Sequence, residues 1–316
     1  MEALVENNKA ITINSSLRID ELVDTFISCQ DVKANSKLLY RRTLRQYFNW
    51  VECKGYNLGE IKLAHIIEYK ENLLAEGKSS LTVGSYITSV RRFYEWTEAN
   101  KFYPNIAKGV KTPKRKNQFK KEPLQIDKVR ELLKLYREKS NLRDYAIISL
   151  LLGTGLRTIE VVRANIKDIQ FKGGKRVLLV QGKGRDEKDN FVELIEQVYK
   201  PIEDYLKSRG AYNINEPLFT STSNNSKGQK LTTRTISYIA KEGLKAIGLN
   251  DKSFTAHSLR HTVAVAILRA GGSPEQAQHT LRHSNPATTQ IYTASLNEER
   301  RLANSGEALI GSLFFN

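Results

Sequence analysis

The sequence lacks the features that mark secreted and membrane-embedded proteins. Only two of its 316 residues are cysteines, which is too few for a disulfide framework. We expect both, Cys29 and Cys53, to be packing residues of a protein in a reducing compartment. No run reaches the roughly 18 uncharged apolar residues of a membrane span. The first residues carry acids and no apolar segment, unlike a signal peptide. These absences predict a cytoplasmic protein.

Motifs for nucleotide, serine-hydrolase and zinc chemistry are also missing. The sequence has no GxxxxGK[ST] phosphate loop, no GxGxxG run after a predicted strand and no GxSxG nucleophile elbow. Two of the histidine pairs have i,i+4 spacing, His257 with His261 and His279 with His283. Neither pair has the acidic residue of HExxH, and zinc sites need three or four ligands. We therefore expect no metal site and no cofactor.

The sequence is instead rich in positive charge. Its formal net charge is +16, which points to a polyanionic partner. Residues 105–122 carry seven Lys and Arg against one acid, whereas residues 1–104 are nearly balanced, with 14 against 13. A basic surface without a nucleic-acid partner is the alternative that charge alone leaves open.

The apolar pattern divides the chain into two units joined by a basic segment. Residues 1–16 are predicted to be a flexible arm, and residues 17–107 contain segments with helical spacing, which predicts an all-helical bundle. Residues 108–122 combine glycine, proline and lysine without periodicity, so we interpret them as a linker. Such a linker suits contact with DNA phosphates, and a solvated tether is an equal alternative. Residues 123–316 are predicted to be mostly helical, with a small antiparallel sheet.

Local signals predict where several of these elements begin and end. Ser36 is expected to cap the second helix, and Asp127 to cap the first helix of the second unit. Gly55 and Gly77 are expected to end the second and third helices. In the second unit, LRDYAIISLLLGTG predicts a buried helix, and KRVLLVQGKGRDEKDNFVELI predicts a hairpin of two strands around a Gly/Asp-rich turn.

Several side chains suited to phosphate chemistry are scattered over the second unit: Arg157, Lys183, His257, Arg260, His283 and Tyr292. Lys183 lies between glycines that allow a close approach to a ligand, and His257 and Arg260 share a helix face. Each residue taken singly also has a structural interpretation. Arg157 suits a helix C-cap, Lys183 a solvated turn, and Tyr292 an interface.

Four stretches of the second unit occur in the order and at the approximate spacings of a known family. They are TGLRTIE, GKGRDEKDNFVEL, HSLRHTVA and LRHSNPATTQIYT. Over nearly all of residues 18–295 the sequence resembles the tyrosine recombinases, or phage integrase family. SSLTVGSYITSVRRFYEW and YPNIAKGVKTPK resemble its SAM-like core-binding domain. The resemblance implies a mainly α protein, with an all-α core-binding bundle followed by an α+β catalytic domain.

The resemblance also implies chemistry at a DNA phosphodiester. Tyr292 lies at the nucleophile position, and Arg157 and Arg260 lie at the positions that hold the non-bridging oxygens. Lys183 lies at the position that protonates the departing 5′ oxygen. The implied products are a 3′-phosphotyrosine and a free 5′ hydroxyl. Fixed cations are suited to the charge that develops in this reaction, and the covalent link conserves the bond energy without ATP or metal.

The remaining family positions imply supporting roles. His257 is expected to transfer a proton at the tyrosine, His283 to hydrogen-bond the phosphate, and Glu160 to support the pocket without reacting. His261, one residue after Arg260, is expected to turn inward. Arg282 replaces the glycine that is usual in the family, and we expect it to add a phosphate contact or to disturb the turn. Arg163 is expected to be a surface contact.

The partners follow from the same resemblance. We expect a double-stranded recombination site, a homotetramer on DNA and an accessory directionality factor, in the bacterial nucleoid. The apolar C-terminal tail is expected to dock into a neighbouring protomer, with packing on its own domain as the alternative. Candidate DNA-binding residues are Lys108, Lys111, Lys114, Arg115, Lys116, Arg91 and Arg92.

The predicted function is site-specific recombination for a mobile element. Its first alternative is an Xer-type enzyme that resolves chromosome or plasmid dimers. Two further alternatives are a type IB topoisomerase, which has similar tyrosine, arginine and lysine chemistry, and a DNA-binding regulator that has lost catalysis.

Overall fold

A computed structural model describes most of the chain, which divides into two units, Met1–Gln118 and Phe119–Asn316. The boundary falls within the predicted linker, residues 108–122. The predicted arm lies outside the described residues, except for Ser16, which begins a helix. The described residues are 16–114, 122–182, 184–210, 212–283, 285, 292, 293, 296, 301 and 305–315.

The first unit contains the predicted helices, here α1 (Ser16–Ser28), α2 (Ala34–Cys53), α3 (Leu63–Ala75) and α4 (Ser80–Ala99). The expectation that Ser36 caps α2 is wrong. The chain is already helical from Ala34, and Lys33 is the extended residue before it. Gly55 and Gly77 have φ angles of +69° and +75° just after α2 and α3, as expected of glycines that end helices.

Aromatic rings fill the core of the first unit. The ring centroid of Phe26 lies 5.6 Å from that of Phe93 and 5.7 Å from that of Trp96, both edge-on. Val110 is buried in the same core, although it belongs to the predicted linker. The described start of that linker is therefore part of the first unit, because its one valine packs inward while Lys108 beside it stays exposed.

The two cysteines do not pack in this core. Cys29 and Cys53 are both exposed free thiols, so the expectation for them is wrong. Cys53 is the last residue of α2, and Cys29 follows the end of α1, where the chain turns away from the buried faces.

The second unit is mainly helical. Its elements are α5 (Ile126–Glu138), α6 (Leu142–Thr154), α7 (Thr158–Arg163), β1 (Ile169–Lys172), β2 (Lys175–Val180), β3 (Asn190–Glu193), α8 (Glu196–Arg209), α9 (Thr233–Ala246), α10 (Ala256–Arg269), α11 (Pro274–Leu281) and α12 (Gly306–Phe314). Asp127 lies inside the first turn of α5 and not at its cap, which is Gln125. Its carboxylate still suits the positive end of the helix dipole.

The strands form an antiparallel sheet in the order β1–β2–β3. The β2–β3 hairpin is as predicted, with Leu179 opposite Phe191. The strand β1 was not predicted. Its four residues are largely exposed, and Phe171 is 71% exposed, so no alternation of buried and exposed side chains marks it in the sequence.

The helix α6 is buried, as predicted, and lies against α5, α8, α9 and α10. It ends at Gly155, which brings the start of α7 close to α10 and α11. The C-terminal helix α12 is different, because its large apolar side chains are exposed: Leu309, Ile310, Leu313 and Phe314, followed by Phe315. None of the described helices is long and apolar enough to cross a bilayer.

Candidate active site

A buried carboxylate organises the start of α7. Glu160 is 1% exposed and lies in the first turn of the helix. One of its oxygens accepts a hydrogen bond from the backbone N–H of Arg157 at 2.7 Å, and the other accepts one from Nη1 of Arg157 at 2.9 Å. Arg157 therefore lies at the N-terminal cap of α7, and not at the C-cap of α6. Its side chain keeps 30% of its surface exposed, so its guanidinium remains accessible to a ligand.

Arg260 lies at the bottom of the same site and is 2% exposed. Its Nη1 donates to the carbonyl of Gly155, and its Nη2 donates to the carbonyl of Leu281. A solvated helix face is therefore excluded for this arginine. Gly155 has a φ of +62°, and a Cβ atom there would lie 2.5 Å from Leu281. Glycine at this position lets the ends of α6 and α11 approach each other over the guanidinium.

Arg282 also enters the site, in a direction that the sequence did not indicate. It follows α11 in the left-handed conformation, with φ +55° and ψ +47°. Its side chain is 7% exposed and donates from Nη2 to Glu160 at 3.1 Å and from Nη1 to the carbonyl of Thr280 at 2.6 Å. The turn is formed, so the expectation that Arg282 disturbs it is wrong, whereas the expected phosphate contact stays a prediction.

The charges in the site shift each other's pKa. Burial raises the pKa of Glu160, but the charge of Arg282, the backbone N–H of Arg157 and the charges of Arg157 and Arg260 reverse this, so its pKa lies below the usual value. Burial and the charge of Arg157 lower the pKa of Arg260 to about 9, against the raising effect of Glu160. At neutral pH Glu160 is thus an anion and Arg260 a cation.

Tyr292 is buried beside this group, at 3% exposure. Its ring centroid lies 4.4 Å from that of His261, edge-on, and 6.2 Å from that of His283, stacked. His261 is turned inward and buried, as expected. His257 is exposed one turn earlier on α10, and its ring centroid lies 6.3 Å from that of His261. The three imidazoles and the phenol therefore form one cluster.

Burial determines the protonation of this cluster. It lowers the pKa of His261 to about 4, with a smaller contribution from His257. It also lowers the pKa of His283 to about 4, together with the charges of Arg260, Arg157 and Arg282. Burial raises the pKa of Tyr292, while Arg260 and Arg157 lower it, and the net shift is upward. At neutral pH both buried histidines are neutral, and the phenol keeps its proton.

Lys183 lies outside the described residues, so its predicted place in the site stays a prediction. Its neighbour Gly182 is described, and the carbonyl of Gly182 accepts a hydrogen bond from Nη1 of Arg163 at 2.9 Å. Arg163 is half-buried and holds the base of the β2–β3 turn, and the expectation of a surface contact stays a prediction. Among the described residues, no group of three or more His, Cys, Asp or Glu side chains is arranged to hold a metal ion.

The candidate DNA-binding residues belong to the first unit. Those with exposed side chains are Lys108, Lys111, Lys114 and Arg92. Arg91 is half-buried, and Arg92 pairs with Glu95 at 3.1 Å. Arg115 and Lys116 lie outside the described residues. A groove of about 480 Å³ between the N-terminal halves of α2 and α4 is lined by six hydroxyl side chains, Lys114 and a few apolar residues.

Comparison with known families accounts for both units. Residues 122–299 match the model of the phage integrase family, and residues 19–101 match that of the phage integrase N-terminal SAM-like domain. The chain belongs to the phage integrase family. The resemblance recognised in the four motifs is thus confirmed, as is the predicted fold of a helical SAM-like bundle followed by an α+β domain.

Similar proteins carry the name tyrosine recombinase. The chain is 30% identical over 295 residues to tyrosine recombinase XerC of Leptospira interrogans serogroup Icterohaemorrhagiae serovar copenhageni, covering 90% of this chain and 92% of that protein. It is 27% identical over 308 residues to tyrosine recombinase XerD of Proteus mirabilis, covering 95% of each. The family assignment makes this chain an enzyme of the tyrosine recombinase type.

A solved structure shows the same fold. The XerH site-specific recombinase, bound to palindromic difH substrate in a post-cleavage complex, has a TM-score of 0.74 at 19% identity. The match covers 93% of this chain and 85% of that one.

Two contacts of the site were not predicted from the sequence: that of Arg282 with Glu160 and that of His261 with Tyr292. The signal for Arg282 was its replacement of a glycine, but nothing local showed that its side chain points to Glu160, 122 positions away. The position of His261 next to Arg260 predicted that it turns inward. Its ring contact with Tyr292 was not predicted, because the two residues lie 31 positions apart in the sequence.

Proposed function

We propose that this chain cleaves and rejoins DNA strands at a specific site through a 3′-phosphotyrosine on Tyr292 and a Holliday junction. The observation that carries the proposal is the shared pocket of a buried phenol and two arginines. The charges of Arg260 and Arg157 lower the pKa of Tyr292 against the effect of burial, so both cations act on the candidate nucleophile. A phosphodiester in that pocket is attacked where its developing charge is stabilised.

In the proposed cleavage step, the phenol oxygen of Tyr292 bonds to phosphorus as the bond from phosphorus to the 5′ oxygen breaks. The phenol proton passes to His257, and Lys183 supplies a proton to the departing 5′ oxygen. In the rejoining step, a 5′ hydroxyl from the partner strand attacks the phosphotyrosine and restores the phenol. A phenol of pKa about 10 or higher needs these neighbours to react at neutral pH.

The two arginines are proposed to hold the non-bridging oxygens. Each terminal nitrogen of a guanidinium carries two N–H groups. Arg260 can therefore keep its bonds to the carbonyls of Gly155 and Leu281 and still donate to a phosphate. A neutral His283 would add a hydrogen bond without further charge, since its pKa is about 4.

The partners are part of the same proposal. We propose duplex DNA, contacted by the candidate basic residues of the first unit, and a homotetramer on that DNA in the bacterial cytoplasm. The exposed apolar side chains of α12, which include Leu313, 77% exposed, and Phe314, 74% exposed, support docking of this helix into a neighbouring protomer. An accessory directionality factor remains an additional proposed partner.

The biological role has two candidates. The first is recombination for a mobile element. The second is Xer-type resolution of chromosome or plasmid dimers, and the names of the relatives XerC and XerD, aligned over most of both chains, favour it. The DNA that the enzyme attacks distinguishes them. A site beside its own gene supports the first role, and a single chromosomal or plasmid site elsewhere supports the second.

The test captures the covalent intermediate. Sheared, nicked DNA of the source organism is incubated with the chain, protein–DNA adducts are isolated under denaturing conditions, and the attached DNA is sequenced. We expect the native chain to form adducts and Tyr292→Phe to form none while it still binds the captured site. Tyr238→Phe, at a 64% exposed tyrosine, is the matched control and should react normally. An adduct that persists in Tyr292→Phe removes this residue from its role.

Two further measurements separate the alternatives. Lys183→Ala should slow cleavage of the captured site far more than it weakens binding, whereas the control Lys227→Ala, at an exposed lysine, should change neither. Equal losses of cleavage and binding in Lys183→Ala would indicate a simple phosphate contact. Relaxation of a supercoiled plasmid that lacks the captured site would favour a topoisomerase.

A further inference from the structure

We propose that Arg282 is a positioning residue that holds Glu160 and thereby fixes Arg157 and the chain before His283 in the arrangement that receives the phosphate. This inference rests on the proposed function and deepens it.

The side chain of Arg282 is held by two contacts although its backbone conformation is unusual. Its φ of +55° is one that residues with a Cβ rarely adopt. Among the described residues, Lys101, at φ +57°, is the other non-glycine residue with this conformation. Lys101 is exposed, whereas Arg282 directs two terminal nitrogens to partners in the site. A strained, buried arginine persists where its contacts outweigh the strain.

The contact with Glu160 joins two distant parts of the chain. Oε2 of Glu160 accepts from Nη2 of Arg282 at 3.1 Å and from the backbone N–H of Arg157 at 2.7 Å. Oε1 accepts from Nη1 of Arg157 at 2.9 Å. One carboxylate therefore connects the start of α7 to the end of α11. A change at Arg282 acts on Arg157 through the oxygens that orient it.

The residues on either side of Arg282 are held as well. The carbonyl of Leu281 accepts from Nη2 of Arg260, and the carbonyl of His283 accepts from Nε2 of Gln278 at 3.1 Å. Three consecutive residues are thus tied to α10, α7 and α11. Their positions, and with them the place of the imidazole of His283, depend on one another.

Charge gives Arg282 a second effect on the site. The charged groups that face Glu160 are Arg157 before α7, Arg260 on α10 and Arg282 after α11. Of these, Arg282 opposes the effect of burial on the pKa of Glu160 most strongly. Without it, the carboxyl stays buried with less positive charge, so its pKa rises and it takes up a proton at a higher pH. A protonated Glu160 would hold Arg157 less strongly, because the charge that attracts the guanidinium is lost.

The test is Arg282→Gly, which removes both side-chain contacts and relieves the left-handed backbone. On the DNA site captured with the native chain, we expect the single-turnover cleavage rate to fall about 10²-fold, because small displacements of catalytic groups have effects of that size. The dissociation constant for the DNA should stay within about threefold. The acid limb of the pH–rate profile should move to higher pH, and Arg282→Lys should recover part of the rate.

The matched control is Lys101→Gly, which likewise puts glycine at a residue with a left-handed backbone conformation, but in the first unit. It should leave the cleavage rate and its pH profile unchanged. If Arg282→Gly cleaves at the native rate with the native profile, the inference is overturned while the proposed function stands. Equal losses of cleavage and binding would also overturn it, in favour of a direct phosphate contact. If the native chain itself forms no covalent adduct, the proposed function is overturned, and the role of Arg282 with it.

Discussion

The two units differ in what they bury. The fully buried polar side chains described in the first unit are hydroxyls, on Thr43, Ser89 and Thr97, and its core is built from aromatic and aliphatic groups. The second unit also buries charged and imidazole side chains: Glu160, Asp168, Arg260, His261 and His283. The difference teaches that the first unit is organised for a stable apolar core, whereas the second withdraws ionisable groups from water.

That difference has an energetic meaning. In the first unit, packed edge-on rings add to apolar burial, and the hydroxyls of Tyr47 and Tyr94 satisfy each other at 2.9 Å. In the second unit, desolvation of Arg260 and Glu160 is unfavourable and is offset by the pairs and carbonyl contacts around them. Buried charge of this kind contributes little to stability, but it supplies a site whose cations are fixed before a ligand arrives.

The largest expected effect is that of Arg260→Met, which keeps an unbranched apolar stem and removes the charge. We expect the rate of adduct formation to fall about 10³-fold, because the cation proposed to hold the phosphate is lost together with its two carbonyl contacts. Gel quantification of the adduct measures this. Arg130→Met, at a 77% exposed arginine on α5, should react normally. A native rate in Arg260→Met would mean that buried charge in the second unit serves folding alone.

The next effect concerns stability in the first unit. Phe93 is 2% exposed and packs against Phe26 and Phe48, so Phe93→Ala should lower the free energy of unfolding by about 3–5 kcal/mol. The two tryptophans, Trp50 and Trp96, lie in the first unit, and their fluorescence during urea unfolding reports on it.

The control for this change is Phe171→Ala, at a 71% exposed position in the second unit. It should leave the fluorescence transition in place. If Phe93→Ala also left it in place, the apolar core would not be the source of stability in the first unit.

The smallest expected effect is on acid stability. The unfolded histidines take up protons below a pH of about 6.5, whereas His261 and His283 have pKa values of about 4 in the folded chain. The second unit should therefore lose stability as the pH falls from 6.5 to 4, with no further loss from these histidines below that range. The first unit buries no histidine among its described residues.

Circular dichroism and tryptophan fluorescence test this difference in one titration. Loss of helical signal should begin at a higher pH than the change in fluorescence, and His261→Phe should reduce the gap. A single transition seen by both probes at the same pH would show that the buried imidazoles do not distinguish the units.

Much of the fold could be predicted from local patterns. Helical spacing identified α1 to α4 and α6, and Gly55 and Gly77 ended helices as expected. The errors lie where local signals compete. Ser36 and Asp127 are good capping residues, but the helices begin before them. The strand β1 was not predicted, because its residues are largely exposed and become extended by pairing with β2.

The site was predicted less completely. The resemblance identified Arg157, Glu160 and Arg260 by their motifs, and the structure brings these three together. It did not indicate that Arg282 turns toward Glu160, since a left-handed residue with a side chain departs from local preference and is held by a tertiary contact.

The sequence by itself determined the order of the helices, the hairpin, the family and the identity of the cationic groups. Those properties depend on spacing and residue type, which are local. The tertiary structure decided that Arg260 faces inward, that Tyr292 lies against His261, and that Arg282 shares Glu160 with Arg157. These contacts join residues far apart in the chain, and packing of the helices selects them because a buried charge must meet a partner.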